Sequence, residues 1–122
     1  MTTEELKNRM FDVGVRVISA VGALPKTETA RILGQQLLRA GTSVGANYRA
    51  VARARSQADF VSKLGVVEEE CGEPAYGMEM ILPRKLLKRA QLENLHAEAN
   101  ELLAITVASI KTARRARTVR NQ

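Results

Sequence analysis

The sequence contains no tryptophan, one cysteine, one histidine and three prolines, and only 3% of its 122 residues are aromatic. Each shortage excludes something. Cys71 alone cannot form an intramolecular disulfide, which fits a reducing compartment. His96 alone leaves no histidine-based metal cluster, and no Cys–His pair is close in sequence. A small β-sandwich or barrel would want more aromatics, more β-branched residues and more turns. No run without charge exceeds nine residues, as in Val17–Pro25 and Leu102–Ile110, whereas a membrane helix needs roughly 18 or more apolar residues. The opening Met-Thr-Thr-Glu-Glu lacks the basic, apolar, small-residue order of a signal peptide. The expectation is a soluble, cytoplasmic protein that touches no membrane.

What is present favours helix. Hydrophobic residues make up 45% and charged residues 26%, which excludes wholesale disorder. Ala, Leu, Glu, Lys and Arg dominate, and these are the strong helix formers. One domain over residues 1–122 is expected, with a frayed basic tail at about 116–122.

Four amphipathic stretches follow. The first spans about Thr3 to Ala23, with Thr3 as its cap and the seam Leu6, Met10, Val13, Val17, Ala20; Pro25 stops it. The second begins near Thr27–Thr29 and carries Ala30, Leu33, Leu37, Ala40, Val44, Asn47, Val51 and Ala54. Its phase survives Gly41 and Gly45, so one helix is expected rather than two. Ser56 caps the third, with the seam Phe60, Leu64, Val67, Cys71, Ala75, Met78 and Leu82. Pro74 kinks that helix, or a break near Gly72 divides it. The fourth spans about Gln91 to Arg115. Leu103, Val107 and Ile110 widen its apolar face, which suggests a contact between subunits. Short connections make this an all-α, antiparallel up-down-up-down four-helix bundle.

Chemistry is sparse. No glycine-rich phosphate loop occurs, and Glu93-Asn94-Leu95-His96 is a lone Glu-x-x-His where a di-iron bundle needs two. Cys71 lies on an apolar seam among Glu69, Glu70 and Glu73, which disfavours the thiolate. Glu68, Glu69 and Glu70 diverge around a helix and cannot converge on one substrate. No catalytic residue, metal or cofactor is expected. Asn47 occupies a core-seam position, where an amide needs a partner: Ser43 one turn earlier, or a carboxylate of the third helix. The pair would fix register, unless the helix turns Asn47 to the surface.

The net charge of +6 is unevenly placed. Between Glu28 and Asp59 lie Arg31, Arg39, Arg49, Arg53 and Arg55 and no acid. Arg84, Lys85, Lys88 and Arg89 form a second acid-free segment; a third, after Glu101, contains Arg114 and Arg115. Such a surplus suits a polyanion, with a plain solvated face as the alternative. Arg39, Arg49, Arg53, Arg55, Arg114 and Arg115 are the candidate contacts. With so few aromatics, contacts to phosphate are expected to outweigh base stacking.

The stretch Leu37-Leu38-Arg39-Ala40-Gly41-Thr42-Ser43-Val44-Gly45-Ala46-Asn47-Tyr48-Arg49-Ala50 resembles the signature of the 23S rRNA intervening-sequence proteins. Asp59-Phe60-Val61-Ser62-Lys63-Leu64, leading to Glu68-Glu69-Glu70, and Glu98-Ala99-Asn100-Glu101-Leu102-Leu103-Ala104-Ile105 agree with it. The resemblance runs from the first helix to Arg115. It implies an antiparallel four-helix bundle, assembly into a homopentameric ring, and a link to RNA, since some members are encoded within ribosomal RNA genes. A related bundle serves diversity-generating retroelements as a basic pentamer contacting nucleic acid and reverse transcriptase. It supplies no catalytic residue. Gly72-Glu73-Pro74-Ala75-Tyr76-Gly77 departs from the family's unbroken aromatic-containing third helix. Two functions follow as expectations: a non-enzymatic oligomer binding RNA or another polyanion, or a ring that recruits a protein.

Overall fold

Three helix starts are set by a hydroxyl oxygen that accepts a backbone N–H of the first turn: Thr2 from Glu5, Thr27 from Ala30 and Ser56 from Asp59. The computed structural model describes residues 1–120, which fold into α1 (Thr3–Gly22), α2 (Glu28–Val51), α3 (Gln57–Ile81) and α4 (Arg89–Arg120), with a 3-10 turn at Leu82–Arg84. Thr2, not Thr3, caps α1, because Glu5 reaches back to the Thr2 N–H at 3.0 Å and completes a capping box. α4 begins two residues before Gln91 and is helical as far as Arg120. The expected frayed stretch of 116–122 runs on into residues 121 and 122, which lie outside the described ones.

The helices run antiparallel in sequence order. Gln57 meets Ala113, Cys71 meets Thr106 and Glu79 meets His96, so α3 descends as α4 rises. Gly34 faces Val21 and Leu24, Gly41 faces Val17, and Gly45 faces Met10 and Phe11, which gives the same sense to α1 and α2. Each helix packs on its chain neighbour, and α4 closes on α1 along a narrower seam. Met10, Val13, Val17, Leu37, Val44, Val67, Met78, Ile81, Leu92, Leu102 and Ile110 are fully buried along the axis. Each larger aliphatic side chain removed from water there contributes about 1.5–3 kcal/mol.

α2 is one continuous helix through Gly41 and Gly45, as its phase predicts. α3 is also continuous: Pro74 lies buried inside it, so no break occurs near Gly72. Two seams differ by one residue from the expected ones. Val61 and Ile81 are buried where Phe60 and Leu82 were expected, and Tyr48 takes the core position expected for Asn47. In both cases the phase drifts slightly over a long helix; on α2 the larger apolar body takes the interior, whereas on α3 Phe60 and Leu82 are left half-buried against the core. The wide face of α4 is largely spent inside the bundle, with Leu103 and Val107 half-buried. The exposed large apolar side chains lie instead on α1, α2 and α3, apart from Met1.

Gly41 sets how closely α1 and α2 approach. A Cβ there would lie 2.6–2.9 Å from three side-chain atoms of Val17. Gly65 of α3 faces open space, with no atom within 4 Å of a built Cβ. Gly41→Ala is therefore expected to cost about 1–3 kcal/mol by overpacking. Gly65→Ala is expected to gain about 0.5–1 kcal/mol from helix propensity alone. Thermal or urea denaturation of both variants checks this, and the opposite order would contradict the close helix contact.

Candidate nucleic-acid interface

Arginine is placed by helical geometry before any tertiary contact acts. At about 100° per residue, Arg39 and Arg49 fall within an arc of about 80° on the outer side of α2, and Arg53 follows in the turn just past its end at Val51. Arg39 lies about 15 Å from Arg49 along the helix axis. All three are exposed. Arg55 follows in the α2–α3 connection, exposed, its backbone N–H donating to the Asp59 carboxylate at 3.0 Å.

The fold adds the second group. The Gln57 side-chain amide donates to the Ala113 carbonyl at 3.3 Å, pinning the late part of α4 beside the start of α3. Arg114 and Arg115, both exposed, therefore share one end of the bundle with Arg53 and Arg55. Arg39 does not join them and stays near mid-helix. Asp59 sits within this end, where its carboxylate accepts from Lys63 Nζ at 2.6 and 2.7 Å. That contact and the Arg55 N–H hold its carboxyl below the usual carboxylate range. A hollow of about 490 Å³ opens at the same end, lined by Tyr48, Val51, Arg55, Gln57 and Phe60 among others.

Ser43 and Asn47 bond within their own helix. The Ser43 hydroxyl donates to the Arg39 carbonyl at 2.6 Å, and the Asn47 amide donates to the Ser43 carbonyl at 2.9 Å. Asn47 finds its partner one turn back, as the spacing suggests, but in the backbone rather than the hydroxyl. Half-buried, it ties no second helix in these bonds.

One ionic contact escapes sequence reasoning. Arg9 of α1 donates from Nε to Glu98 Oε2 at 2.9 Å and from Nη2 to Glu98 Oε1, and it lies 3.2 Å from Glu101. The hydrogen bonds to Glu98, and the two nearby carboxylates, raise the Arg9 pKa above its ordinary value against the opposing effect of burial. A separation of 89 residues leaves no local signal for such a pair.

Aromatic placement is the other surprise. The Arg49 guanidinium lies over the Phe11 ring, 5.6 Å from its centroid, a cation–π contact between α2 and α1. A groove of about 590 Å³ between α2 and α3 brings Tyr76, Met80, Glu69 and Glu73 beside Arg39.

The residues examined for catalysis stay apart. Among the described residues no three His, Cys, Asp or Glu side chains come together as a metal site. His96 Nε2 lies 3.1 Å from Glu79 Oε1, a single contact between α3 and α4. Cys71 is buried against Thr106, Sγ to Oγ1 3.9 Å. Burial pushes its thiol up to about 11, with Glu70 adding and Thr106 opposing. The thiolate fraction at pH 8 is then about one in a thousand. Native protein is expected to resist alkylation by iodoacetamide at pH 8 and to react once unfolded in urea. Rapid labelling of the native state would contradict the burial.

Comparisons with known proteins agree with the bundle. A family model described as 23S rRNA-intervening sequence protein matches residues 4–108. A crystal structure of a protein of unknown function from the S23 ribosomal protein family of Bacteroides thetaiotaomicron superposes with a TM-score of 0.82 at 29% identity. The match covers 91% of this chain and 99% of that one. Among curated proteins none matches. Among the described residues no helix is long and apolar enough to cross a membrane.

Proposed function

The chain belongs to the family of 23S rRNA-intervening sequence proteins, and from that premise we propose that it is a non-enzymatic, homo-oligomeric bundle that holds RNA or another polyanion on its arginine surface. One observation carries the reading: Arg53, Arg55, Arg114 and Arg115 are exposed at a single end of the bundle. Arg49 and Arg39 extend the charge along α2. Guanidinium forks suit phosphate oxygens, and their binding releases condensed counterions, so affinity comes without much sequence preference. The family's name gives RNA the first place among polyanions. The same reading puts the protein in the cytoplasm, as a ring of five copies by family resemblance.

The exposed apolar side chains of α1 and α3 favour a second reading, a ring that recruits a protein partner. Specific retention of one polypeptide after nuclease treatment, with no RNA binding, is its expected signature.

Filter binding of structured RNA across a salt series tests the first reading. Affinity should fall steeply with salt. Arg53→Ala combined with Arg55→Ala should flatten the slope of log K against log salt by about 1.4–1.8, from 0.7–0.9 per lost phosphate contact. Affinity indifferent to salt, or unchanged in the double variant, overturns it.

A further inference from the structure

Charge is sorted lengthwise along the α3–α4 half of the bundle. Between Lys63 and Arg84 lie Glu68, Glu69, Glu70, Glu73 and Glu79, and no lysine or arginine. Between Arg89 and Lys111 lie Glu93, Glu98 and Glu101, and again no lysine or arginine. Because α3 and α4 run antiparallel, the two stretches lie side by side and form one acidic belt. Arg9 reaches Glu98 and Glu101 from α1, and Arg39 lines the α2 edge of the belt. Glu68, Glu69, Glu70, Glu73 and Glu93 have no ion-pair partner among the described residues, so the belt stays negative.

The α3–α4 connection beyond this belt is cationic. Leu87 is buried and Leu86 half-buried, which pins the connection to the core. Arg84, Lys85, Lys88 and Arg89 stay exposed, and none has an ion-pair partner among the described residues. Lys85 alone among the described non-glycine residues has a left-handed backbone, with φ of 55°. Glycine takes that conformation at less cost, so a lysine there keeps a charge against local preference. Lys26 adds to this end from the α1–α2 connection, which the up-down order brings to the same side. The 25 residues of α3 separate it by about 37 Å from the end that carries Arg53, Arg55, Arg114 and Arg115. That is several times the roughly 8 Å Debye length of physiological salt, so the two cationic ends act as separate sites.

We propose that Arg84, Lys85, Lys88 and Arg89 form a second site for the phosphodiester backbone of RNA, and that the protein bridges two RNA segments, one at each end. Four cations within six residues concentrate charge for phosphate oxygens, and binding there releases condensed counterions. The acidic belt repels a phosphate chain laid lengthwise along α3 and α4, so a segment held at one end does not run on to the other. An anionic membrane surface suits this turn less well, because Leu86 and Leu87 are turned into the core rather than outward to enter lipid. Bridging rests on the polyanion reading of the first end given above; the second end stands on its own charges.

A two-RNA bridging assay on the full chain tests the proposal, with circular dichroism confirming that each variant is folded. Wild type should retain a fluorescent RNA hairpin on beads that carry an unlabelled copy of the same hairpin. Arg84→Gln, Lys88→Gln and Arg89→Gln combined should still bind the hairpin in solution through the first end, yet cut bead retention by roughly fivefold or more. Lys85→Gly, which suits the left-handed backbone, should raise the thermal midpoint while lowering retention about twofold. Retention unchanged in both the triple variant and Lys85→Gly overturns the second site and leaves the first reading standing. Unchanged retention together with lost binding to phosphatidylserine vesicles would assign the turn to a membrane surface, which also overturns it. A wild type that binds no hairpin overturns the first reading and the bridge together.

Discussion

The backbone-to-backbone approach of α1 and α2 is the constraint on which the rest of this molecule depends. A Cβ at Gly14 would sit 3.5 Å from the Gly41 carbonyl oxygen, and one at Gly45 would sit 3.4 Å from the Phe11 nitrogen. With so little side chain between them, the two helices lie close enough for Arg49 to reach over Phe11. The same closeness seats Val17 against Gly41 and turns the arginine-bearing arc of α2 outward. Bulkier residues there would push α2 away and rotate that arc, so packing and charge placement are set by one contact. The cost of glycine in a helix interior, about 1 kcal/mol each against alanine, is offset by that fit.

Much of this architecture is readable from local patterns, because helix phase and hydroxyl caps are local properties. The continuity of α2 through two glycines and the start of α3 at Ser56 follow directly from spacing. Reading falters where one-residue choices depend on what lies opposite. Tyr48 rather than Asn47 and Val61 rather than Phe60 face the core, since only the assembled bundle decides which neighbouring phase is inside. Pro74 within a continuous helix is a further case, where tertiary packing outweighs a residue's intrinsic preference.

The arginine surface divides along the same line. Helical spacing places Arg39 and Arg49 on one arc of α2, yet nothing in the sequence brings Arg114 and Arg115 to the same end as Arg55. That proximity is made by Gln57 and Ala113, which are 56 residues apart. Nor does composition show that two of the four aromatic side chains, Phe11 and Tyr76, lie beside Arg49 and Arg39 respectively. A scarcity of aromatics limits their number and says nothing of their company. The acidic residues differ in company: Glu98 and the exposed Glu101 reach Arg9, while Glu69 and Glu73 line the groove that holds Arg39.

Arg9 and Glu98 also have a topological role. Three helix pairs joined by short turns make a strip, and only contact between the first and last helix converts that strip into a closed bundle. Their hydrogen bond closes a loop of 89 residues, against 35 for Cys71 and Thr106. In loop-closure entropy the longer ring costs only about 0.8 kcal/mol more, because the penalty grows with the logarithm of length. A charged, doubly hydrogen-bonded pair is worth more than that difference. One guanidinium held by two carboxylates is thus strong enough to let the narrowest seam in the fold be its last fastening.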